Sequence, residues 1–479
     1  MNTDAPWPSP EEAEQRVLRI QTKLHQWAIE APSFRFADLA NLVADPAFLI
    51  VAWERVRRNR GARSAGVDGV RPRTVNKTSE MLLRTLREEI KAQTFRPLPV
   101  RERMIPKANG KLRRLGIPTA RDRVIQASLK LVLEPIFEAD FKPCSYGFRP
   151  GRRAHDAIAE IQFFASRRYE SVFEGDISAC FDEIDHAALM NRVRERIADK
   201  HILRLIKGFL RAGILSENRL YQNSITGTPQ GGILSPILAN CALSILDEHF
   251  AKDWEAEDAR SRRLSRRKKN RPSYRLIRYA DDFVVMVNGS KYDAEALRSE
   301  VAAVLAPMGL RLSESKTRIA SIDEGFDFLG FRIQRRHKRG TTQRYVYTYP
   351  SKNAVMAISE KVRALTVREA NHSLTDLLQR LNPALRGWCT YFRHGVSKRT
   401  FGYLEHFTWH RVFRWLRKRH VGRTAQFLLG RYYQDNRPIE NGVSMFDTRK
   451  VAVTRYLYRG KRIPTPWSKQ PEPELVQSA

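Results

Sequence analysis

Three carboxylates occupy positions that packing alone does not explain. Asp281 and Asp282 follow Tyr279 and Ala280 between two apolar runs, Leu276-Ile277 and Phe283-Val284-Val285-Met286-Val287. That pattern reads as two short strands folded about an acid-bearing turn. Adjacent acids at a hairpin tip repel each other, so something cationic should hold them. Asp176 stands in a similar setting, just after Val172-Phe173-Glu174-Gly175. Carboxylates from two separate strands converging on one point are what two-metal phosphoryl transfer requires.

The elements that must position these acids follow from the pattern around them. Residues 10–60 read as helices, with Phe48, Leu49, Ala52, Trp53 and Val56 on one face and Arg55, Arg57 and Arg58 on others. A Gly-rich turn, Gly66-Val67-Asp68-Gly69, comes next. Residues 100–118 read as a hairpin about Asn109-Gly110. Residues 121–139 form an amphipathic helix with Val124, Ile125, Leu129, Leu133 and Ile136 on one side. The acid-bearing strands, near 171–177 and 275–288, are separated by helical patterns. Strands and helices alternate without the regular repeat of a doubly wound fold, which favours an α+β arrangement with helices behind an antiparallel sheet. Residues 259–275 hold nine basic residues, including Arg266, Arg267, Lys268 and Lys269, and almost no apolar ones, so an exposed loop is expected there.

After a hairpin near 331–349 the character turns helical. Leu374, Leu377, Leu378 and Leu381 make one stripe, Asn382-Pro383 should break it, and Leu385, Trp388, Tyr391 and Phe392 resume it. Trp409, Val412, Phe413 and Leu416 read as a buried stripe, with Arg411, Arg414 and Lys418 on another face as nucleic-acid contacts. From residue 421 the chain is basic and less periodic, and 464–479 reads as a Pro-rich disordered tail.

Composition bounds the size of the chain and the kind of partner it meets. The chain has 479 residues, enough for about two to four domains. Its 85 basic and 52 acidic residues give a net charge of +33, which calls for a polyanionic partner. No long apolar run predicts a membrane span, and residues 1–7 lack the pattern of a signal peptide. Cys144, Cys180, Cys241 and Cys389 are scattered, arguing for a reducing, cytoplasmic setting and against a disulfide frame or a zinc site.

Taken in order, the motifs resemble a bacterial group II intron-encoded reverse transcriptase/maturase of the type lacking an endonuclease. The resemblance rests on residues 105–119, on Ser-Tyr-Gly-Phe-Arg-Pro-Gly at 145–151, on the Asp176 block, and on Gly-Thr-Pro-Gln-Gly-Gly-Ile-Leu-Ser-Pro at 227–236. Tyr279 to Asp282, residues 310–316 and Phe-Leu-Gly-Phe at 328–331 complete it.

It implies that Asp176 and Asp281 ligate two Mg²⁺ ions, with the backbone carbonyl of Ile177 as a further ligand and Asp282 adding negative field. Lys107 and Arg113, on the two arms of the 100–118 hairpin, match contacts to the dNTP phosphates. Phe181 matches a steric gate against a ribose hydroxyl, and Gln230 lies beside the incoming nucleotide. Lys316 would protonate pyrophosphate or touch the primer strand. Arg149 and Arg152, in a turn-rich segment, are candidates for positioning the template, with a structural salt bridge as the alternative.

The implied architecture is a right-hand polymerase. Residues 1–69 form an RNA-binding helical extension, 70–335 fingers and palm, 336–420 an α-helical thumb/maturase domain, and 421–479 a basic DNA-contacting region. The expected partners are an intron RNA template, a DNA primer or target, and dNTPs, with no membrane. Alternatives are a domesticated reverse transcriptase serving host defence or DNA repair, and a non-catalytic RNA-binding maturase. No paired Cys-x-x-Cys of an H-N-H endonuclease follows the helices, and the pair His406 and His410 lacks the glutamate of a metalloprotease.

Overall fold

The computed structural model describes residues 7–75, 79–106, 110, 112–216, 221–222, 226–228, 231–256, 258–367, 372–460 and 463–468. The N-terminal helix Pro10–Glu30 begins with a capping box: the Glu12 amide donates to Ser9 Oγ, and the Ser9 amide to the Glu12 carboxylate. Its buried residues, Ala13, Val17, Gln21, Leu24, His25 and Ala28, recur every three or four positions. That stripe and the helix Pro46–Arg58 share one core with Ala120–Asp140. Pro135 lies inside this last helix and has no N–H for the carbonyl of Leu131. Gln21 Nε2 donates to that carbonyl instead, at 2.6 Å. The N-terminal helices are thus built into the body of the protein.

The expected hairpin is present. Strand β1 (Val100–Pro106) pairs antiparallel with β2 (Leu112–Ile117), Arg101 opposite Ile117 and Pro106 opposite Leu112. The central sheet is antiparallel and contains β3 (Ser171–Gly175). Two short strands, β4 (Ile214–Leu215) and β5 (Tyr221–Gln222), extend the hairpin sheet. The rest of the central sheet comes from β6 (Ser273–Tyr279), β7 (Asp282–Asn288) and β8 (Arg318–Ser321), in the order β6-β7-β3-β8.

Strand β7 is apolar on both faces. Phe283, Val285 and Val287 enter the core shared with the helices Ser235–Glu255 and Lys291–Leu305. Val284 and Met286 enter a second core with the helix Ala154–Ala165. Burial on both faces explains the unbroken apolar run.

A further hairpin, β9 (Phe326–Phe328), β10 (Phe331–His337) and β11 (Arg344–Pro350), leads to the helices Lys352–Val367, Leu374–Phe392 and Lys398–Arg419. A domain boundary at 335/336 therefore falls inside β10. Among the described residues no helix is long and apolar enough to cross a membrane.

Four local expectations are corrected. Residues 259–268 form a helix, Ala259–Lys268, and not a loop. The Arg263 side chain lies over the Trp254 ring at 4.0 Å and Arg266 pairs with Asp253, which anchors the otherwise polar helix to the chain preceding it. Pro383 does not break its helix, which runs unbroken from Leu374 to Phe392. Asn382 is tied down there, donating to Ser444 O at 2.8 Å and accepting from the Phe446 amide at 2.8 Å. Trp409 and Phe413 are half-buried, stacked on each other with Tyr433 against them, while Trp415 joins Val412 and Leu416 in the core. The chain at 464–468 is docked: Trp467 is buried, its ring 5.5 Å from that of His25, and its Nε1 donates to Gln21.

Candidate active site

The acid pair lies at the tip of the hairpin β6–β7. Tyr279 pairs with Asp282, so Ala280 and Asp281 form a two-residue turn, with Ala280 at φ 58°. A left-handed residue at the first turn position suits the right-handed twist of the strands, though a non-glycine there needs support. The support comes from Arg278, a fully buried side chain on β6. Its guanidinium donates to both carboxylate oxygens of Asp247, to Asn240 Oδ1, to Ser145 Oγ and to the carbonyl of Ala280 at 2.8 Å. The burial cost of this charge is offset by the equally buried Asp247, and each N–H has an acceptor.

From the other side the loop at 144–147 joins the hairpin. The Tyr146 amide donates to Arg278 O at 2.8 Å and the Arg278 amide to Cys144 O at 2.9 Å. Gly147 then lies so close that a Cβ would stand 2.2 Å from the Ala280 nitrogen.

Strand β3 brings the third acid to this end of the sheet. Gly175 pairs with Phe283, one residue beyond the tip acids, and the chain then delivers Asp176. Gly175 has no room for a side chain, because a Cβ would lie 2.1 Å from the Phe283 ring. The Asp176 carbonyl accepts from the Ser313 amide at 2.7 Å, and Ile177 bridges to Leu312, fixing the strand end.

The electrostatics show an excess of negative charge. Asp282 keeps solvent access, yet crowding by protein atoms and then the charges of Asp281 and Asp176 raise its carboxyl to about 6, against the opposing pull of Lys316 and Arg113. Lys316 Nζ rests 2.9 Å from Asp176 Oδ2. Hard oxygen donors with too little positive charge nearby are the surroundings that suit a divalent cation. Asp176 and Asp281 are carboxylates of that kind at this end of the sheet. Among the described residues no group of three or more His, Cys, Asp or Glu side chains is poised as a metal cage. The other ligands would be substrate phosphates and water.

Phe181 lies on the short helix Cys180–Glu183, half-buried, its ring 6.4 Å from that of Phe148. The Thr228 amide donates to Phe181 O at 2.6 Å, and a Cβ on Gly227 would meet the Phe181 and Asp182 carbonyls at 2.6 Å. On its far side a Cβ on Gly231 would stand 2.7 Å from Gly116 O, on the β2 arm that carries Arg113. Gly227 and Thr228 thus abut the Phe181 turn, and Gly231 abuts the β1–β2 hairpin. Arg113 is exposed. Lys107 and Gln230 lie outside the described residues.

The template assignment of Arg149 is corrected. Its five N–H groups go to the Glu138 carboxylate and to the carbonyls of Lys142, Ser145 and Phe141. Arg149 is buried, leaving no donor for a phosphate. Arg152 is likewise turned inward, with Pro143 O at 3.1 Å, Glu138 at 3.8 Å and its guanidinium over the Tyr146 ring. Arg411 is half-buried and donates to Thr366 Oγ1, whereas Arg414, Lys418, Lys268 and Lys269 are exposed. Arg267 lies on the basic helix, and Arg266 is partly engaged by Asp253. His406 and His410 have ring centroids 4.3 Å apart.

Sequence reasoning missed Arg278, Asp247, Asn240 and Gly147. The signal for Arg278 was a charge set inside an apolar strand, which demands a buried partner; its partners lie over 30 residues away and left no local trace.

Residues 105–333 match the family described as Reverse transcriptase (RNA-dependent DNA polymerase), and residues 355–433 match Group II intron, maturase-specific domain. Protein YkfC of Escherichia coli (strain K12) is 37% identical over 357 residues, covering 71% of this chain and 93% of YkfC. Group II intron-encoded protein LtrA of Lactococcus lactis subsp. cremoris is 33% identical over 357 residues, covering 64% of this chain and 58% of LtrA. A Schizosaccharomyces pombe protein, "Uncharacterized 91 kDa protein in cob intron", is 33% identical over 333 residues, covering 61% of this chain and 40% of that protein. The chain therefore spans most of YkfC but only about half of the other two. An RNA-directed DNA polymerase domain is followed by a maturase domain, on an α+β body with antiparallel sheets and a helical C-terminal part. The chain belongs to the group II intron-encoded reverse transcriptase/maturase family.

Proposed function

We propose that this chain copies RNA into DNA at the Asp176–Asp281–Asp282 site, and that it binds an intron RNA both as template and to assist splicing and retrohoming. The observation that carries the catalytic part is the β3–β7 register, which supports Asp176 and the hairpin acids acting together, with Lys316 as a solvent-accessible counter-charge.

Asp176, Asp281 and the Ile177 carbonyl would hold two Mg²⁺ ions. Bound there, Mg²⁺ supplies acidification of the primer 3′-hydroxyl and charge stabilisation of the triphosphate. The chain's own groups do the rest. Lys316, solvent-accessible and already at the acid cluster, can turn from Asp176 to a phosphate oxygen and give a proton to the leaving group. Arg113, on the hairpin facing the site, balances phosphate charge, and Lys107 is assigned the same role. Phe181 limits the space at the sugar, and Gln230 contacts the incoming nucleotide. Arg411, Arg414 and Lys418 on the thumb helix, with Arg266, Arg267, Lys268 and Lys269, supply cations for RNA or DNA backbone. Four buried free cysteines agree with work in a reducing cytoplasm.

The experiment is primer extension on an RNA template with Mg²⁺ and dNTPs, wild type beside Asp281→Ala. Extension by wild type alone supports the site; extension by both variants rejects the assignment of Asp281. Extension by neither leaves the RNA-binding role as the better reading.

A further inference from the structure

We infer that the segment at residues 456–459, near the C-terminus, is a positioning element of the polymerase active site, acting on the catalytic hairpin through one buried carboxylate, Glu160. The segment lies against the helix Ala154–Ala165. Arg459 makes a two-pronged pair with Asp156, both contacts at 2.8 Å, and donates to Gly151 O at 3.1 Å. Tyr456 OH donates to the same Asp156 at 3.0 Å. One turn further along the helix, Tyr458 OH donates to Glu160 Oε1 at 3.1 Å, and its ring sits 4.6 Å from that of Phe163.

Glu160 is fully buried. Its Oε1 also accepts from Arg275 Nε at 2.8 Å, and its Oε2 accepts from the Tyr146 hydroxyl. Each of these partners belongs to an element that carries or backs the turn. Arg275 lies on β6, three residues before Arg278 and five before the turn. Tyr146 donates its amide to Arg278 O and is followed by Gly147, which abuts Ala280. Through Glu160, Arg275 and Tyr146 tie the loop at 144–147 to β6. Tyr458 is the third residue donating to that buried carboxylate, so its loss leaves the acid one donor short. The C-terminal segment supplies that donor across 298 residues of chain. A nucleic-acid contact alone would not require a tyrosine hydroxyl aimed at a buried acid beneath the catalytic hairpin.

The inference rests on the polymerase reading of the hairpin, so its test has one readout that needs no activity. Tyr458→Phe removes a single half-buried hydroxyl and keeps the ring packing. In the full-length protein we expect faster hydrogen exchange at the amides of residues 276–284. We also expect a fall of about three- to tenfold in the rate of single-nucleotide incorporation at saturating dNTP, the scale of one lost charged hydrogen bond partly passed on. Primer–template affinity should change less than twofold. Tyr146→Phe should give the same signature, and the double variant less than the product of the two effects, because both act through Glu160. Unchanged exchange at the hairpin overturns the inference whether or not the protein extends primers. Weakened primer–template binding with an unchanged rate also overturns it, and assigns the segment to nucleic-acid contact.

Discussion

The guanidinium of Arg278 donates to the carbonyl of Ala280 at 2.8 Å, so the turn carrying Asp281 is held from beneath by a fully buried charge. The same side chain grips Asp247 with a second pair of donors. Lysine has the charge but not the planar fork, and could not serve four partners in these directions. Arg278→Lys should therefore destabilise the protein by about 3–5 kcal/mol, the cost of breaking a buried pair, and abolish primer extension. Urea unfolding followed by extension on the folded fraction checks both; a variant within about 1 kcal/mol of wild type would contradict the role given to the fork.

Gly147 makes a sharper test of the loop that backs the turn. A methyl group there would stand 2.2 Å from the Ala280 nitrogen, a backbone atom that cannot swing aside. Gly147→Ala is expected to lose most extension activity and about 2–3 kcal/mol of stability through overpacking. Gly387→Ala is the control, since among the described residues nothing outside its own helix backbone and chain neighbours lies within 4 Å of a Cβ at that position. Thermal melts and single-turnover incorporation should separate the two.

Lys316 should show the opposite balance. Its pair with Asp176 is largely solvent-exposed, so Lys316→Ala should change stability by less than about 1 kcal/mol. If the lysine serves the leaving group, the incorporation rate should fall about 10²-fold or more while dNTP affinity changes far less. A loss confined to dNTP affinity would instead make Lys316 a ground-state phosphate contact.

The sequence made the acids, their strands and the β1–β2 hairpin legible because each is a local pattern: alternation, a turn dipeptide, a carboxylate at a strand end. Phe283–Val287 read as a strand, but its burial on both faces depends on helices from distant parts of the chain. Arg149 looked like a template contact because its neighbours are turn-forming and basic. Only the fold reveals that Glu138 and three carbonyls lie in reach. The helix Ala259–Lys268 carries the charge density and low apolar content of an exposed loop. Arginine and lysine are good helix formers, and Trp254 and Asp253 supply the anchor that composition could not. The docking of Trp467 on His25 joins opposite ends of the chain, which no window of sequence contains.

Arg149 gives a direct test of that correction. Its removal strands the buried Glu138 carboxylate, so Arg149→Ala should cost about 3–5 kcal/mol. Template affinity of the folded protein, measured by filter binding at low temperature over a salt series, should keep its salt slope. A slope reduced by about one would mean that a phosphate contact had been lost after all.

Asp122 should contribute stability that falls as pH rises through the acid range. This carboxyl is almost fully buried at the start of the helix Ala120–Asp140, accepting from Thr119 Oγ1 at 2.6 Å and the Leu98 amide at 3.2 Å. Burial raises it from 3.8 to about 6, outweighing those hydrogen bonds. The folded state thus holds the proton more tightly than the unfolded state. The associated stability is complete below pH 3.8 and is lost as pH climbs through about 6. A shift of that size corresponds to something on the order of 2–3 kcal/mol. Asp122→Asn keeps an acceptor oxygen and cannot ionise, so urea midpoints at pH 4.5 and pH 7 should converge in the variant. Convergence should be incomplete, because Asp140 is also raised to about 6 by burial and titrates in the same window. An unchanged slope would show that Asp122 stays ionised in the folded protein, and that the Thr119 and Leu98 bonds outweigh its burial.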